Sequence, residues 1–157
     1  MLPAGIFCSF TTAKSKQRLI FAVMDILSFP VNTPLEDVVA KIPGACPLFG
    51  FSLLHQYDFY NILEEKGFPV ARHARVFEIC QARVAAVIVT HDPVLSVLMP
   101  CRFSVYEENG NTHICTQNLS SWIAQYALHP DVGHELKAVW ENILALLSFL
   151  ASNKLTP

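Results

Sequence analysis

Apolar and polar residues alternate at every second position on both sides of Asn109–Gly110, a pattern typical of two β-strands. An Asn-Gly pair is the strongest short hairpin signal, because both central residues of a type I′ turn need a positive φ angle. If these two residues form the turn, Glu108 faces Asn111. The pairs that follow outward are Tyr106 with His113, Ser104 with Cys115, and Phe103 with Thr116. The sequence therefore predicts a β-hairpin with a defined register.

The register divides the hairpin residues between two faces of the sheet. The face that we expect in the core carries Cys101, Phe103, Val105, Ile114 and Thr116. The other face is polar enough for solvent or a partner, and it carries Arg102, Ser104, Tyr106, His113 and Cys115.

Strand and helix patterns alternate in the segments before the hairpin. The predicted strands are Leu19–Phe29, Leu48–Leu54 and Val76–Cys80. The predicted helices are 34–42, Phe59–Lys66 and Ala82–Ile88. Residues 1–17 are left open as either a frayed arm or an added strand.

Several residues mark the ends of these helices. Thr33 with Glu36 has the spacing of a capping box, and Pro43–Gly44 predicts the end of the first helix. Asp58 is a natural N-cap of the second helix, and Gly67 is its expected left-handed terminator.

The C-terminal part of the chain is predicted to be helical. A short helix is expected over Ser120–Leu128, and a long helix over 131–152 with Asp131 as its cap. The long helix has a wide apolar stripe, so one side can cover the domain and the other a second subunit. A single wide contact with the core explains the same stripe, and the sequence leaves both possibilities open.

The order of these elements predicts an α+β fold in one domain, residues 1–157. We expect a mainly antiparallel sheet with helices packed on one face, a two-layer sandwich. Hydrophobic residues make up 52% of the chain and charged residues only 15%. So little charge favours an apolar subunit contact, and we predict a homodimer.

Charge and hydropathy argue against two classes of partner. The net charge of −2 and the scattered Lys and Arg residues argue against nucleic acid binding. No apolar run reaches the roughly 18 residues of a membrane span. The first positive charges follow the apolar residues, the reverse of a secretory leader, so a cytoplasmic location is the default expectation.

An ordered set of residues gives the chain a resemblance to a known family. The set comprises Gly50–Phe51, Asp58, Glu65–Lys66–Gly67, Cys80, Asp92–Pro93, Leu98–Met99–Pro100–Cys101, Val105, Glu107, Gly110 and Ile114. Over roughly residues 35–119, this order resembles domain-of-unknown-function family 302. The resemblance implies a small α+β domain, often dimeric, with no established reaction. The chain departs from the family at Gln81–Ala82, where Asn-Pro is usual, and at Arg102, where Asn is usual.

Cys80 and Cys101 lie at the ends of neighbouring predicted strands, where their thiols can approach each other. They are the principal candidates for a ligand site, together with Arg102 and His91. One alternative is a redox or soft-metal site that uses the two thiols. Another is that both are packed as small apolar side chains, since five cysteines without CxxC spacing suggest reduced, buried thiols.

No catalytic constellation is evident along the chain. GxSxG, Walker-type and GxGxxG patterns do not occur, and no HExxH motif indicates a metal. We therefore assign no catalytic residue and no metal ligand, and we leave the cofactor open. The favoured function is a non-enzymatic dimeric module that binds a small ligand or partner, and the alternative is a cysteine-dependent redox or soft-metal protein.

Overall fold

The computed structural model of the protein describes residues 26–125 and 128–152. The predictions for residues 1–17, and for the first strand before Ile26, lie outside this part of the chain. The strands are β1 (Ile26–Val31), β2 (Ser52–Asp58), β3 (Ala74–Cys80), β4 (Cys101–Glu108) and β5 (Asn111–Gln117). The helices are α1 (Leu35–Leu48), α2 (Phe59–Glu65), α3 (Ala82–His91), α4 (Leu119–Gln125), α5 (Pro130–Ala151) and a 3₁₀ helix over Pro93–Leu98.

The five strands form one antiparallel sheet in the order β1-β5-β4-β3-β2. Consecutive strands β1 and β2 therefore lie at opposite edges, and α1 connects them. A helix of 14 residues is about 21 Å long. This length matches the width of a five-stranded sheet, about 19 Å. The α1 helix packs against β4 and α5, so the predicted α+β sandwich with helices on one face is confirmed.

The predicted hairpin is confirmed in its register. Glu108 pairs with Asn111, and each of the other predicted pairs is present. Asn109 and Gly110 have φ angles of 53° and 78°, as a type I′ turn requires. The predicted core face is buried at Phe103, Val105, Ile114 and Thr116 and half-buried at Cys101.

The centre of the sheet is held by two stacked phenylalanines on adjacent strands. Phe77 of β3 pairs directly with Phe103 of β4, and their ring centroids are 5.2 Å apart. Both side chains are almost fully buried. A directly opposed aromatic pair adds to the stability that burial gives, and it favours this register over a slipped one.

The predicted end of the first helix at Pro43–Gly44 was wrong. The α1 helix continues to Leu48 with Pro43 and Pro47 inside it. A proline in a helix interior costs about 3 kcal/mol. Ile42, Ala45 and Cys46 are nonetheless 0–2% exposed, so burial of the continuing apolar face offsets this cost.

The start of α1 also differs from the predicted capping box. Pro34 occupies the N-cap position, and Leu35 is the first helical residue. Thr33 therefore precedes the cap, and it is buried. Glu36, expected to complete the box, instead accepts two hydrogen bonds from Arg75, at 2.7 and 2.8 Å.

Arg75 joins three elements through its guanidinium group. Besides Glu36 of α1, its Nε donates to Asp58 Oδ2 at 3.1 Å. Asp58 is the confirmed N-cap of α2, where it accepts the Asn61 backbone N–H. The hydrogen bond to Glu36 raises the pKa of Arg75, which keeps it charged. This ion network ties the first turn of α1 to β3 and α2.

The predicted second strand, Leu48–Leu54, was placed too early. The α1 helix occupies the first of these positions, and Gly50 forms a turn with a φ of 77°. The β2 strand begins only at Ser52 and runs to Asp58 along the edge of the sheet. Its pairing with β3 is irregular between Leu53 and His55.

The long C-terminal helix packs its apolar residues within the domain. The α5 helix contacts α1, α3 and α4, and its fully buried residues include Leu146, Leu147 and Leu150. The predicted cap was wrong by two residues, because His129 occupies the N-cap position and its Nδ1 accepts the Asp131 backbone N–H. Of the two explanations for the wide stripe, the single core contact accounts for these side chains.

None of the helices within the described residues is both long enough and apolar enough to cross a membrane.

We predict that Gly110→Ala destabilises the protein by about 1–2 kcal/mol, since an alanine at positive φ meets steric strain. Gly44→Ala is the matched control. Gly44 lies inside α1, an added Cβ meets no atom within 4 Å, and the same substitution there should stabilise by about 0.5–1 kcal/mol. Chemical denaturation of both variants measures the difference. Equal effects at the two positions would contradict the turn geometry.

Candidate functional site

An apolar cavity lies at the end of the sheet where β3 stops and β4 begins. Its walls come from both strand ends, from α3, the 3₁₀ helix, α4 and α5, and from Phe51. The cavity volume is about 50 Å³, several times the roughly 10–15 Å³ that one water molecule needs. The described lining residues are Phe51, Ile79, Cys80, Gln81, Val84, Ala85, Ile88, Leu95, Leu98, Met99, Pro100, Cys101, Leu119, Ile123, Leu128, Leu136 and Val139.

The register of β3 against β4 brings the two candidate thiols to this cavity. Ile79 pairs with Cys101, so Cys80 is the residue immediately beyond that pair at the same end of the sheet. Both cysteines are half-buried, carry free thiols and line the cavity. The sequence-based expectation that the strand ends place them near each other therefore agrees with their positions.

The environment of Cys101 disfavours its thiolate. Burial raises the pKa of this thiol to about 11, and the neighbouring Cys80 adds to the shift. At neutral pH only about one molecule in ten thousand carries the Cys101 thiolate, since each pH unit below the pKa lowers that fraction tenfold. The thiolate is the form that attacks disulfides, so Cys101 is a weak nucleophile.

Gln81 closes the cavity wall between Cys80 and α3. It occupies the N-cap position of α3 but makes no side-chain cap. Its Nε2 instead donates to the Phe49 carbonyl at 3.1 Å, which ties the start of α3 to the end of α1. Glycine is favoured at position 50, because its φ angle is 77° and an added Cβ would lie only 3.1 Å from Gln81 Nε2.

The 3₁₀ helix presents different side chains on two sides. Leu95 and Leu98 line the cavity, whereas Val94 and Val97 are 78% and 77% exposed. A 3₁₀ helix has three residues per turn, so residues three apart share a face. One short segment thus covers the cavity and carries an apolar pair on the outer surface.

The other two sequence candidates lie away from the cavity wall. Arg102 is exposed on the open face of the sheet, with its Nε 3.7 Å from Glu78 Oε1. His91 ends α3 and stacks on His129, with ring centroids 4.2 Å apart. The structure therefore brings Cys80 and Cys101 together and places Arg102 and His91 elsewhere.

Sequence reasoning missed most of the cavity wall. Ala85 of α3 and Ile123 of α4 line it together with the two leucines of the 3₁₀ helix. The helical spacing of apolar residues, which predicted α3, was the available signal for its part of the wall. The sequence does not show which apolar faces line a cavity, because that depends on how helices distant in sequence pack together.

The comparisons agree with this architecture. The family model described as "Domain of unknown function DUF302" matches residues 27–150. The chain belongs to this family. The resemblance expected from the ordered residues is confirmed. The match extends beyond the expected range of 35–119 to include almost all of β1 and of α5.

A solved structure shows the same fold. It is the crystal structure of an uncharacterized conserved DUF302 protein from Bacillus stearothermophilus, with a TM-score of 0.71 and 20% sequence identity. The alignment covers 81% of this chain and 98% of that chain. No curated protein matches this DUF302 chain significantly.

We predict that the Cys101 thiol makes the stability of the protein fall as pH rises from 9 to 11. The unfolded thiol releases its proton near pH 9.0, whereas the folded one retains it to about 11. As pH rises above 9, the free energy of unfolding therefore falls, by up to about 3 kcal/mol in total.

Denaturation curves of wild type and Cys101→Ala across this pH range provide the measurement. The difference in unfolding free energy between the two proteins should shrink as pH rises. Val84→Ala, which truncates another cavity residue without removing an ionisable group, should give a constant difference. A constant difference for Cys101→Ala as well would contradict the raised pKa.

Proposed function

We propose that this DUF302 protein is a non-enzymatic binding module that holds a small apolar molecule, or the apolar end of a larger one, in the cavity beside Cys80 and Cys101. The observation that carries the proposal is the composition of the cavity wall. Its described residues are apolar except for Gln81 and the two thiols, and the Gln81 amide nitrogen already donates to Phe49. Such a wall favours apolar ligand surface and offers few polar contacts.

The same wall supports binding over catalysis. The lining residues in the described part of the chain include no carboxylate and no imidazole that can act as a general acid or base. The raised pKa of Cys101 also weighs against the alternative of a redox protein, because its thiol stays protonated at neutral pH. The two cysteines then contribute small, polarisable surface to the ligand pocket.

Substitution of Ala85 tests ligand binding. Ala85 lines the cavity, so Ala85→Leu should fill it and weaken binding of a small apolar probe at least tenfold, or about 1.4 kcal/mol. Ala86→Leu is the matched control, because Ala86 is exposed on the outer side of α3. Short n-alkanols are suitable probes, because their apolar ends are slim enough for a cavity of about 50 Å³, whereas benzene needs one of about 150 Å³.

Binding is measured by titration of amide chemical shifts in solution NMR spectra. In wild type and Ala86→Leu, the shifts should saturate and concentrate on α3, α4 and the ends of β3 and β4. If the shifts of Ala85→Leu saturated at the same probe concentration as those of wild type, cavity binding would be contradicted. Wild-type shifts that do not saturate would contradict it as well.

We further propose that the module is a homodimer whose contact includes the outer side of the 3₁₀ helix. Val94 and Val97 are among the most exposed large apolar side chains in the described residues, and Val89 of α3 is 54% exposed nearby in sequence. Burial of such side chains against a second copy stabilises an assembly. The α5 stripe no longer supports a dimer, since its apolar residues pack inside the domain.

Sedimentation velocity tests the homodimer. Wild type should sediment as a dimer, and the double variant Val94→Lys with Val97→Lys should shift towards monomer, because each lysine places a charge in the contact. Phe68→Lys is the control, as Phe68 is 71% exposed but lies in the loop after α2, away in sequence from the 3₁₀ helix. A monomeric wild type at all concentrations would refute the dimer, and an unchanged double variant would refute this contact.

A further inference from the structure

Two histidines and an aspartate, side chains that commonly bind metals, meet where α3 ends and α5 begins, outside the cavity wall. His91 is the last residue of α3, His129 is the N-cap of α5, and Asp131 lies in the first turn of α5. His91 Nε2 lies 3.9 Å from Asp131 Oδ2, and His129 Nδ1 lies 3.7 Å from the same oxygen. One ligand atom from each residue lies within 4.8 Å of the other two.

This arrangement is held by contacts of the backbone and the core. Asp92 Oδ2, immediately after α3, accepts the backbone N–H of His129 at 3.0 Å. The two helices also contact each other, and both Ile88 of α3 and Val132 of α5 are buried in the core. The three side chains therefore share one location because the fold places them there, and no ion is needed to bring them together.

We propose that His91, His129 and Asp131 bind a divalent transition-metal ion such as Zn²⁺. Two imidazole nitrogens and one carboxylate oxygen form a ligand set that Zn²⁺ accepts, with water in the fourth position. Ligand atoms around a tetrahedral zinc lie about 3.3 Å apart, since each metal–ligand distance is about 2.0–2.1 Å. The two contacts to Asp131 must therefore shorten by about half an ångström.

The side chains have the freedom to make this adjustment. The histidine rings are stacked with an angle of 13° between their planes, and they must turn apart because a metal lies in the plane of each ring that binds it. The side chains of His91, His129 and Asp131 are 35%, 42% and 67% exposed, so rotation meets little obstruction. In the metal-bound form, His129 Nδ1 binds the ion and gives up the 3.3 Å hydrogen bond that it accepts from the Asp131 N–H.

Binding of Zn²⁺ to the full-length protein tests the site, measured by competition with a chromophoric chelator. Wild type should bind one ion per chain, and His91→Gln and Asp131→Asn should each weaken binding at least tenfold. His55→Gln is the control, because His55 is an exposed histidine on β2 and lies outside the cluster. Circular dichroism and thermal melting without metal check that each variant is folded.

Co²⁺ substitution separates this site from the two cysteines. The proposal is supported if the Co²⁺ spectrum has no thiolate-to-metal charge-transfer band and if both cluster variants bind Zn²⁺ more weakly than wild type. A thiolate band would assign the ion to the cysteines and overturn it. Wild-type affinity in both cluster variants, or an equal loss in His55→Gln, would also overturn it. Each of these outcomes leaves the test of the cavity with Ala85→Leu unaffected.

Discussion

The pairing of β3 with β4 is the constraint on which the rest of this DUF302 protein depends. Phe77 stacks on Phe103 in the middle of the pair, and Ile79 opposes Cys101 at its end. Side chains of a strand alternate between two faces, so a slip by one residue would move every buried side chain of β4 to the open face. One register therefore fixes the core and the position of both thiols.

The cavity is a consequence of how the strand ends are covered. The α3 helix starts two residues after Cys80, and the 3₁₀ helix ends three residues before Cys101, so both segments must leave the sheet at the same end. The α4 and α5 helices complete the wall. Apolar side chains from four helical segments meet there without filling the space. The proposed ligand site thus arises at a junction of elements, as small-molecule sites often do.

The second candidate site lies at another junction of the same helices. The α3 helix contributes Ala85 to the cavity and His91 to the proposed metal cluster, about two turns further along. The α5 helix similarly contributes Leu136 to the cavity and Asp131 to the cluster. A metal that joins the ends of α3 and α5 would restrain two walls of the ligand pocket, which gives the two proposals a physical connection.

The sequence by itself determined the elements whose signals are local. The Asn109–Gly110 turn specified the hairpin register, and Asp58 and Gly67 specified the ends of α2, because turn and cap geometry depend on a few adjacent residues. The order of Cys80, Asp92–Pro93 and Cys101 likewise led to the family and to the thiol pair.

Only the tertiary structure decided the features that depend on contacts distant in sequence. The α1 helix passes through Pro43 because its buried face packs on α5 and the sheet, which local propensity does not report. His91 and His129 are 38 positions apart, and they meet because two helices pack and Asp92 binds the backbone of His129. Long-range packing also decided which apolar faces enclose a cavity, since burial depends on the partner that each face meets.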